Sequence, residues 1–459
     1  MKALLDPGNA LAQGLAAVRT EFQVPAGFPP HVLQAAEAAA KRVPSSHIDR
    51  TGLPFVTLDP APSTDLDQAF CIESSGADLI LRYAIADVDW FVDEGGAIDV
   101  EAWHRGESLY LPDGKAGLYP PILSEGAASL LPGGPRPAVV FIVRVDPNGA
   151  VRLDGVERAI VRSRAKLAYE NVQAADLPAQ FGELARRIQA AETARGAARV
   201  DPPEQEVAAL PEGGYRLVFR PRLASEDDNA ALSLATNMAV ADALYAHQTG
   251  LFRVMDEPSA SAIARLRLTA AAFGIAWPAG MPLEKFERTL HQRDPRQAAL
   301  MLAIRRAGPG ASYAPYRPSV VPWHAAMAAT YAHATAPLRR LADRYVVRTA
   351  LEIANGRPVP ATARDAFDKL PAVMAKADSI AGRIDRMVVD LAEAVLLSGQ
   401  EGTVFPAVVT DSDKHGSKVQ LRDHPVVARI TETAEPGTRL DIRLTGVDTA
   451  RRTVTFERA

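Results

Sequence analysis

The spacing of apolar residues changes character along the chain, and each change marks a boundary. Over residues 8–21, Leu11, Leu15 and Val18 recur at helical intervals and fall on one face. The proline-rich stretch PAGFPP (25–30) ends that unit, and an Ala-rich run from Val32 to Val43 predicts a second helix. From Leu53 the texture is strand-like: LPFVTLD (53–59), DLILRYAIAD (78–87) and PAVVFIVRV (137–145), separated by Gly, Pro and Asp. Between about 160 and 395 helical periodicity dominates, as in AALSLATNMAVADALYAH and KADSIAGRIDRMVVDLAEAVLL. After Gln400 five short strand-like segments fall within about sixty residues, which suggests a small antiparallel barrel of OB type. Strands first and helices later predict an α+β centre, a mixed sheet packed with helices, between a short helical module and the barrel.

Composition adds bounds. At 459 residues, 47% hydrophobic and 23% charged, the chain can bury two or three cores. The net charge of −4 means that any polyanion must be met by a local basic channel, not by a cationic surface. Cys71 is the only cysteine, which excludes an intrachain disulfide and a cysteine-based zinc cluster and points to a reducing compartment, the cytoplasm. The apolar patch at the N-terminus is broken by Asp6 and Pro7, unlike a secretory signal, and no uncharged apolar run is long enough for a bilayer. No membrane association is expected, and nothing in the sequence names a protein partner.

The sharpest chemical signal is Asp59, ending a predicted strand, then a proline-containing loop carrying Asp65 and Asp67. In extended backbone, residues two apart face the same side. Three converging carboxylates repel one another unless a cation neutralises them, and oxygen-only ligands suit Mg²⁺ or Mn²⁺. Asp, Pro and Ser are also ordinary turn formers, so the segment alone reads more readily as a solvated turn than as a metal site.

Read in full, FVTLDPAPSTDLDQAF (55–70) resembles the signature acidic segment of the ribonuclease II/R (RNB) family. Four further segments match that family in order: YAIADVDWFV (83–92), RGESLYLPD (105–113), SRAKLAYENV (163–172) and YAHATAPLRRLADRYVVR (331–348). The resemblance covers about residues 47–395, with an S1-type OB domain after it. It implies an RNB catalytic domain over 47–399 and an S1-type RNA-binding domain over 400–459; where the family carries cold-shock domains, residues 1–46 read instead as a helical module. The implied activity is processive 3′→5′ hydrolysis of single-stranded RNA to nucleoside 5′-monophosphates by a Mg²⁺-dependent, two-metal mechanism, with Mn²⁺ the alternative ion.

The resemblance also assigns residues. Asp59, Asp65 and Asp67 match metal-site positions, with Asp67 catalytic. Arg339 matches the arginine on the scissile phosphate, Tyr169 a tyrosine that orients that phosphate, and Tyr110 one that packs on the terminal nucleotide. Val200, where an aromatic partner of Tyr110 is usual, His333 and Asp385 match RNA-contacting positions. Asp87 is either a supporting residue or a strand-end cap. The departures are informative: Gln68 replaces a fourth aspartate, Ala230 and Ala231 a Glu-Glu pair implicated in reading ribose, Asp385 a Glu, and Ala336 and Leu341 the usual Ser and Tyr. A catalytically weakened RNA-binding relative is the competing reading. In the C-terminal segment Lys414, Lys418 and Arg422, with Phe405 on the first strand, supply cations and an aromatic for a single strand.

Overall fold

The computed structural model describes residues 9–197, 204–209, 215–220, 222–291, 294–308, 310–422, 424 and 426–459. Val200 lies outside them. The chain opens with helices α1 (Ala10–Glu21) and α2 (Pro30–Ala39). Strands β1 (Ile48–Asp49), β2 (Phe55–Asp59), β3 (Gln68–Ser75) and β4 (Asp78–Ala86) follow. The short helix α3 (Val88–Phe91) and α4 (Ala97–Arg105) lead to a hairpin of β5 (Leu109–Leu111) and β6 (Gly114–Ala116). Then come β7 (Arg136–Val145), β8 (Val151–Val161) and β9 (Ser163–Ala168).

Seven of these strands form one mixed sheet in the order β1-β8-β7-β4-β3-β2-β9. β1 runs parallel to β8 and β2 parallel to β9, while the central pairings are antiparallel. β4 is buried along nearly its whole length because both faces of the sheet are covered, so its sequence is apolar almost throughout.

The helical half comprises α5 (Phe181–Ala194), a hairpin of β10 (Glu204–Ala209) and β11 (Tyr215–Arg220), and α6 (Ala224–Ala246). Strand β12 (Leu251–Val254) precedes helices α7 (Ala260–Ala272), α8 (Leu283–Glu287) and α9 (Pro295–Ala307). β13 (Ser312–Pro315) pairs with β12, and β14 (Trp323–His324) with β15 (Ala329–Thr330). Helices α10 (Leu341–Ala354) and α11 (Ala361–Leu397) close the domain. α6 crosses β4, β7 and β8, and its buried Leu232, Ala235 and Val240 complete the main core with Phe70, Tyr83 and Phe141.

The 37-residue α11 is the spine of the molecule. It touches α1, α10 and the β5–β6 hairpin, and its last residue, Leu397, enters the barrel core. The barrel has five antiparallel strands: β16 (Val404–Asp413), β17 (Gly416–Leu421), β18 (Val427–Ile430), β19 (Arg439–Asp448) and β20 (Thr453–Arg458), in the order β18-β17-β16-β19-β20. The expected α+β architecture with a terminal five-stranded OB-like barrel is therefore present.

Two local readings change. The second helix ends at Ala39 instead of Val43, because Val43 is 82% exposed and Pro44 follows, so no burial extends the Ala-rich run. The central helical region also holds the two-stranded antiparallel pairs β10–β11, β12–β13 and β14–β15.

Candidate active site

β2 lies between β3 and the edge strand β9, and its parallel pairing with β9 places Asp59 opposite Ala168 and next to Tyr169. Asp59 Oδ2 is buried and has no hydrogen-bond partner. Burial pushes its carboxyl up to about 6, although Arg339 and Lys166 pull the other way. The loop that follows is pinned from both ends. The Leu66 N–H donates to Ser129 Oγ (2.9 Å), Ser129 Oγ donates to the Thr64 carbonyl (2.7 Å), and the fully buried Leu66 anchors the turn.

That anchoring delivers Asp65 and Asp67 to different partners. Asp65 Oδ1 lies 2.9 Å from Lys115 Nζ, and its Oδ2 accepts from the Tyr110 hydroxyl at 3.0 Å. Asp67 is 5% exposed; its Oδ1 accepts the Leu338 N–H at 2.7 Å, and Oδ2 is 3.5 Å from Arg339 Nε. Burial pushes the Asp67 carboxyl up to about 8, against the pull of Arg339 and the Leu338 N–H. Asp65 feeds unfavourable charge to both Asp59 and Asp67, so the three carboxylates sense one another. Among the described residues no three His, Cys, Asp or Glu side chains are gathered in the geometry of a single ion's ligands. Asp65 is engaged by the hairpin instead.

Gln68, the first residue of β3, does not reach out as a free amide. Its Nε2 donates to the Thr335 carbonyl at 2.8 Å, and its Oε1 accepts from the Tyr83 hydroxyl. A neutral side chain at this position thus ties β3 to the turn before α10. That turn is fixed by Asp343, which accepts the Ala336 N–H (2.8 Å) and both arms of Arg340. Arg340 is consumed in the fold, whereas Arg339 keeps 46% of its side chain exposed beside Asp67. The Arg339 carbonyl accepts the Ser108 N–H at 2.9 Å, stitching the segment that carries Tyr110 to the arginine turn.

Asp59, Gln68, Tyr169 and Arg339 line a cavity of about 1480 Å³, whereas Asp65, Asp67 and Tyr110 are not part of its lining; Asp67 meets it through Arg339. Tyr169 is oriented by Asn229, whose Nδ2 donates to its hydroxyl at 2.8 Å. Ala230 and Ala231 line the same cavity and bring no polar atom to it. Glu226 and Asp227 do line it, but the Glu226 carboxylate accepts the Leu223 N–H (2.7 Å) and Asp227 pairs with Arg222 (3.0 Å). Tyr110 is 49% exposed on β5.

Other predicted residues lie elsewhere. His333 packs edge-on to Tyr313 and Tyr331, with Nδ1 2.8 Å from the Tyr313 hydroxyl, and burial lowers its pKa well below the usual imidazole range. Asp385 is exposed on α11. Asp87 caps α3 and is buried between His47 (3.0 Å) and Arg158 (2.8 Å), a structural role. On the barrel, Lys414 and Arg422 are exposed at the two ends of β17. Lys418 is half-buried on β17, and desolvation lowers its pKa, helped by the positive charge of Arg306 on α9 and Arg386 on α11 and opposed by Asp411 and Glu393. Phe405 is 5% exposed and packs edge-on against Phe456 and His424, so it belongs to the barrel core and offers no stacking face.

Sequence reasoning did not single out Lys115, Asn229, Thr335 or Tyr83. Their partners are distant in sequence, and none stands out by residue type. Trp323, 46% exposed at the cavity, was likewise not singled out, because its exposure is set by the fold and leaves no local trace in the sequence.

A mixed-sheet domain with an arginine-flanked acidic pocket, followed by a five-stranded barrel, is the arrangement of an RNB domain with a terminal S1 domain. The RNB domain family matches residues 48–354, and the RNase II-type exonuclease C-terminal S1 domain matches residues 403–459. The chain belongs to the RNB family. Ribonuclease R of Thermotoga maritima is 26% identical over 449 residues, covering 89% of this chain and 62% of the relative. Ribonuclease R of Escherichia coli is 28% identical over 461 residues, covering 91% and 56%. The chain thus spans little more than half the length of these curated relatives. Mycoplasma genitalium RNase R, solved in complex with ribose methylated single-stranded RNA, shares the fold with a TM-score of 0.88 at 20% identity, over 100% of this chain and 79% of that one. Among the described residues no helix is long and apolar enough to cross a membrane.

Proposed function

We propose that this protein is a 3′→5′ exoribonuclease that hydrolyses single-stranded RNA processively to nucleoside 5′-monophosphates. The observation that carries this reading is Arg339 beside Asp67, on a cavity wall shared with Asp59 and Tyr169. In such a reaction water attacks the phosphorus of the terminal nucleotide and the bond to the preceding 3′-oxygen breaks. Charge then builds on the equatorial oxygens, and the exposed fork of Arg339 is placed to receive it. Tyr169, fixed by Asn229, orients the phosphate, and Tyr110 packs on the terminal base. Residues 1–46, 47–399 and 400–459 act as N-terminal module, catalytic domain and S1-type RNA-binding domain.

The donor set fits a hard divalent ion, Mg²⁺ or Mn²⁺: it is all oxygen, and Asp59 keeps a buried, unpartnered Oδ2. Asp59 and Asp67 would hold it, and Asp65 would join for a two-ion arrangement once Lys115 is displaced. The ion supplies Lewis-acid activation of water and neutralisation of phosphate charge. Further along the strand, Lys418 on β17, with both Arg306 and Arg386 and the acidic Asp411 and Glu393 near enough to act on it, offers the RNA backbone a cationic contact. Lys414 and Arg422 extend it.

A time course on 5′-labelled single-stranded RNA, with Mg²⁺ and with EDTA, tests the reading. A descending ladder that needs Mg²⁺ supports it. Discrete internal cuts point to endonuclease action, and bound but uncut RNA points to a decayed site, the outcome that Gln68, Ala230 and Ala231 would explain.

A further inference from the structure

The β5–β6 hairpin that presents Tyr110 is a small, two-stranded element outside the main sheet. A lone hairpin of this length has little stability of its own. It is nevertheless held in a definite place, and the hold comes from the N-terminal helix. Leu111 pairs with Gly114 across a two-residue turn of Pro112 and Asp113. Arg19, in the last turn of α1, grips that turn with a fork: Nε to Asp113 Oδ2 at 2.9 Å and Nη2 to Asp113 Oδ1 at 2.7 Å. Nη2 also donates to the Gly114 carbonyl at 2.9 Å.

Apolar packing continues the same contact. Leu11, Leu15 and Val18 of α1 share one buried cluster with Leu111 and Ala116 of the hairpin and with Ile384, Val388 and Leu391 of α11. Gly14 allows this close seating, since a Cβ there would stand 2.5 Å from the Leu391 methyl carbons. In the same last turn of α1, Glu21 meets Arg452 of the barrel at 2.5 Å. One helix therefore joins the barrel, the spine and the hairpin. On the other side of the hairpin, Tyr110 and its cross-strand partner Lys115 both reach Asp65.

We propose that α1 is a strut for the nucleotide-contacting hairpin and that Arg19 is a positioning residue for Tyr110 and Lys115. A bidentate guanidinium–carboxylate grip on a two-residue turn fixes rotation as well as distance, which a single contact would not. The inference rests on the reading of Tyr110 as a base contact, and the test separates the two.

The experiment is a double-mutant cycle in the full chain. Affinity for a single-stranded RNA pentanucleotide is read by fluorescence anisotropy in EDTA, for wild type, Arg19→Met, Tyr110→Ala and the double variant, with thermal melts alongside. Arg19→Met is expected to weaken pentanucleotide binding by about fivefold, the scale of a half-exposed ion pair, and to add nothing in the Tyr110→Ala background. On long RNA, KM should rise while kcat holds. The exchanged pair Arg19→Asp with Asp113→Arg should recover most of the lost affinity, which guards against simple misfolding of either single variant. Full additivity of the two losses overturns the proposal, as does wild-type affinity in Arg19→Met when Tyr110→Ala alone is weakened. If Tyr110→Ala itself binds like wild type, the base-contact reading falls and this inference falls with it.

Discussion

Lys115 and Tyr110 face each other across a hairpin and attach to the two oxygens of one carboxylate, Asp65, at 2.9 and 3.0 Å. The ammonium of Lys115 also lies 3.1 Å from Glu125, whose other oxygen accepts from Thr64 of the acidic loop. The hairpin therefore brings a built-in cation to the edge of the acidic pocket. A divalent ion that recruits Asp65 must compete with it.

Lys115→Met removes the competitor without touching Asp65. The Mg²⁺ concentration for half-maximal cleavage should fall by about fivefold, the value of one partly exposed ion pair. Metal titration of the cleavage rate checks this, and an unchanged or higher requirement would count against competition at Asp65.

Gln68→Asp should raise metal dependence in a different way. The carboxylate adds charge beside Asp59 and Asp67 but cannot donate to the Thr335 carbonyl, which loses its partner. In EDTA the variant should lose about 1–3 kcal/mol of stability, the cost of an unsatisfied buried group with added like charge. Saturating Mg²⁺ should return more stability to the variant than to wild type, because ligand binding to the folded state stabilises it. Thermal melts with and without Mg²⁺ decide. Equal Mg²⁺ effects on the two proteins would place Gln68 away from the ion.

What was legible in the sequence was whatever leaves a local trace. β19 alternates exposed and buried residues over RLDIRLT, so that barrel strand reads cleanly from period two. β3, by contrast, buries Ala69, Phe70 and Cys71 in succession and then runs out exposed as ESS, too short an apolar run to stand out. β8 carries Gly155 where the pairing with β7 shifts register, which interrupts its pattern. The acidic residues and Arg339 were legible because each sits inside a motif. The ties that orient them were not: Gln68 meets Thr335 across 267 residues, and Arg19 meets Asp113 across 94. Such pairings are set by how elements pack, and no local spacing encodes them.

Ribose reading should be relaxed. Ala230 and Ala231 offer no acceptor to a 2′-hydroxyl, and the neighbouring Glu226 and Asp227 are engaged with the Leu223 N–H and Arg222. RNA carrying a single 2′-deoxynucleotide near its 3′ end should be degraded through that position, slowed by no more than about tenfold, the scale of one neutral hydrogen bond. A complete stop at the deoxynucleotide on a sequencing gel would show that another side chain reads the ribose.

The most direct measurement on the central claim pairs cleavage with binding in Asp67→Asn. The amide keeps the shape and can still accept the Leu338 N–H, but it cannot deprotonate to the carboxylate that a bound ion would recruit beside Arg339. Turnover of single-stranded RNA in Mg²⁺ should fall by at least about a hundredfold, as when one principal electrostatic contributor to a transition state is lost. RNA affinity, measured on the same preparation, should be retained or slightly increased, since a negative charge near the phosphate is gone. Near-wild-type turnover in a folded Asp67→Asn protein would contradict the assignment of this pocket as the hydrolytic site.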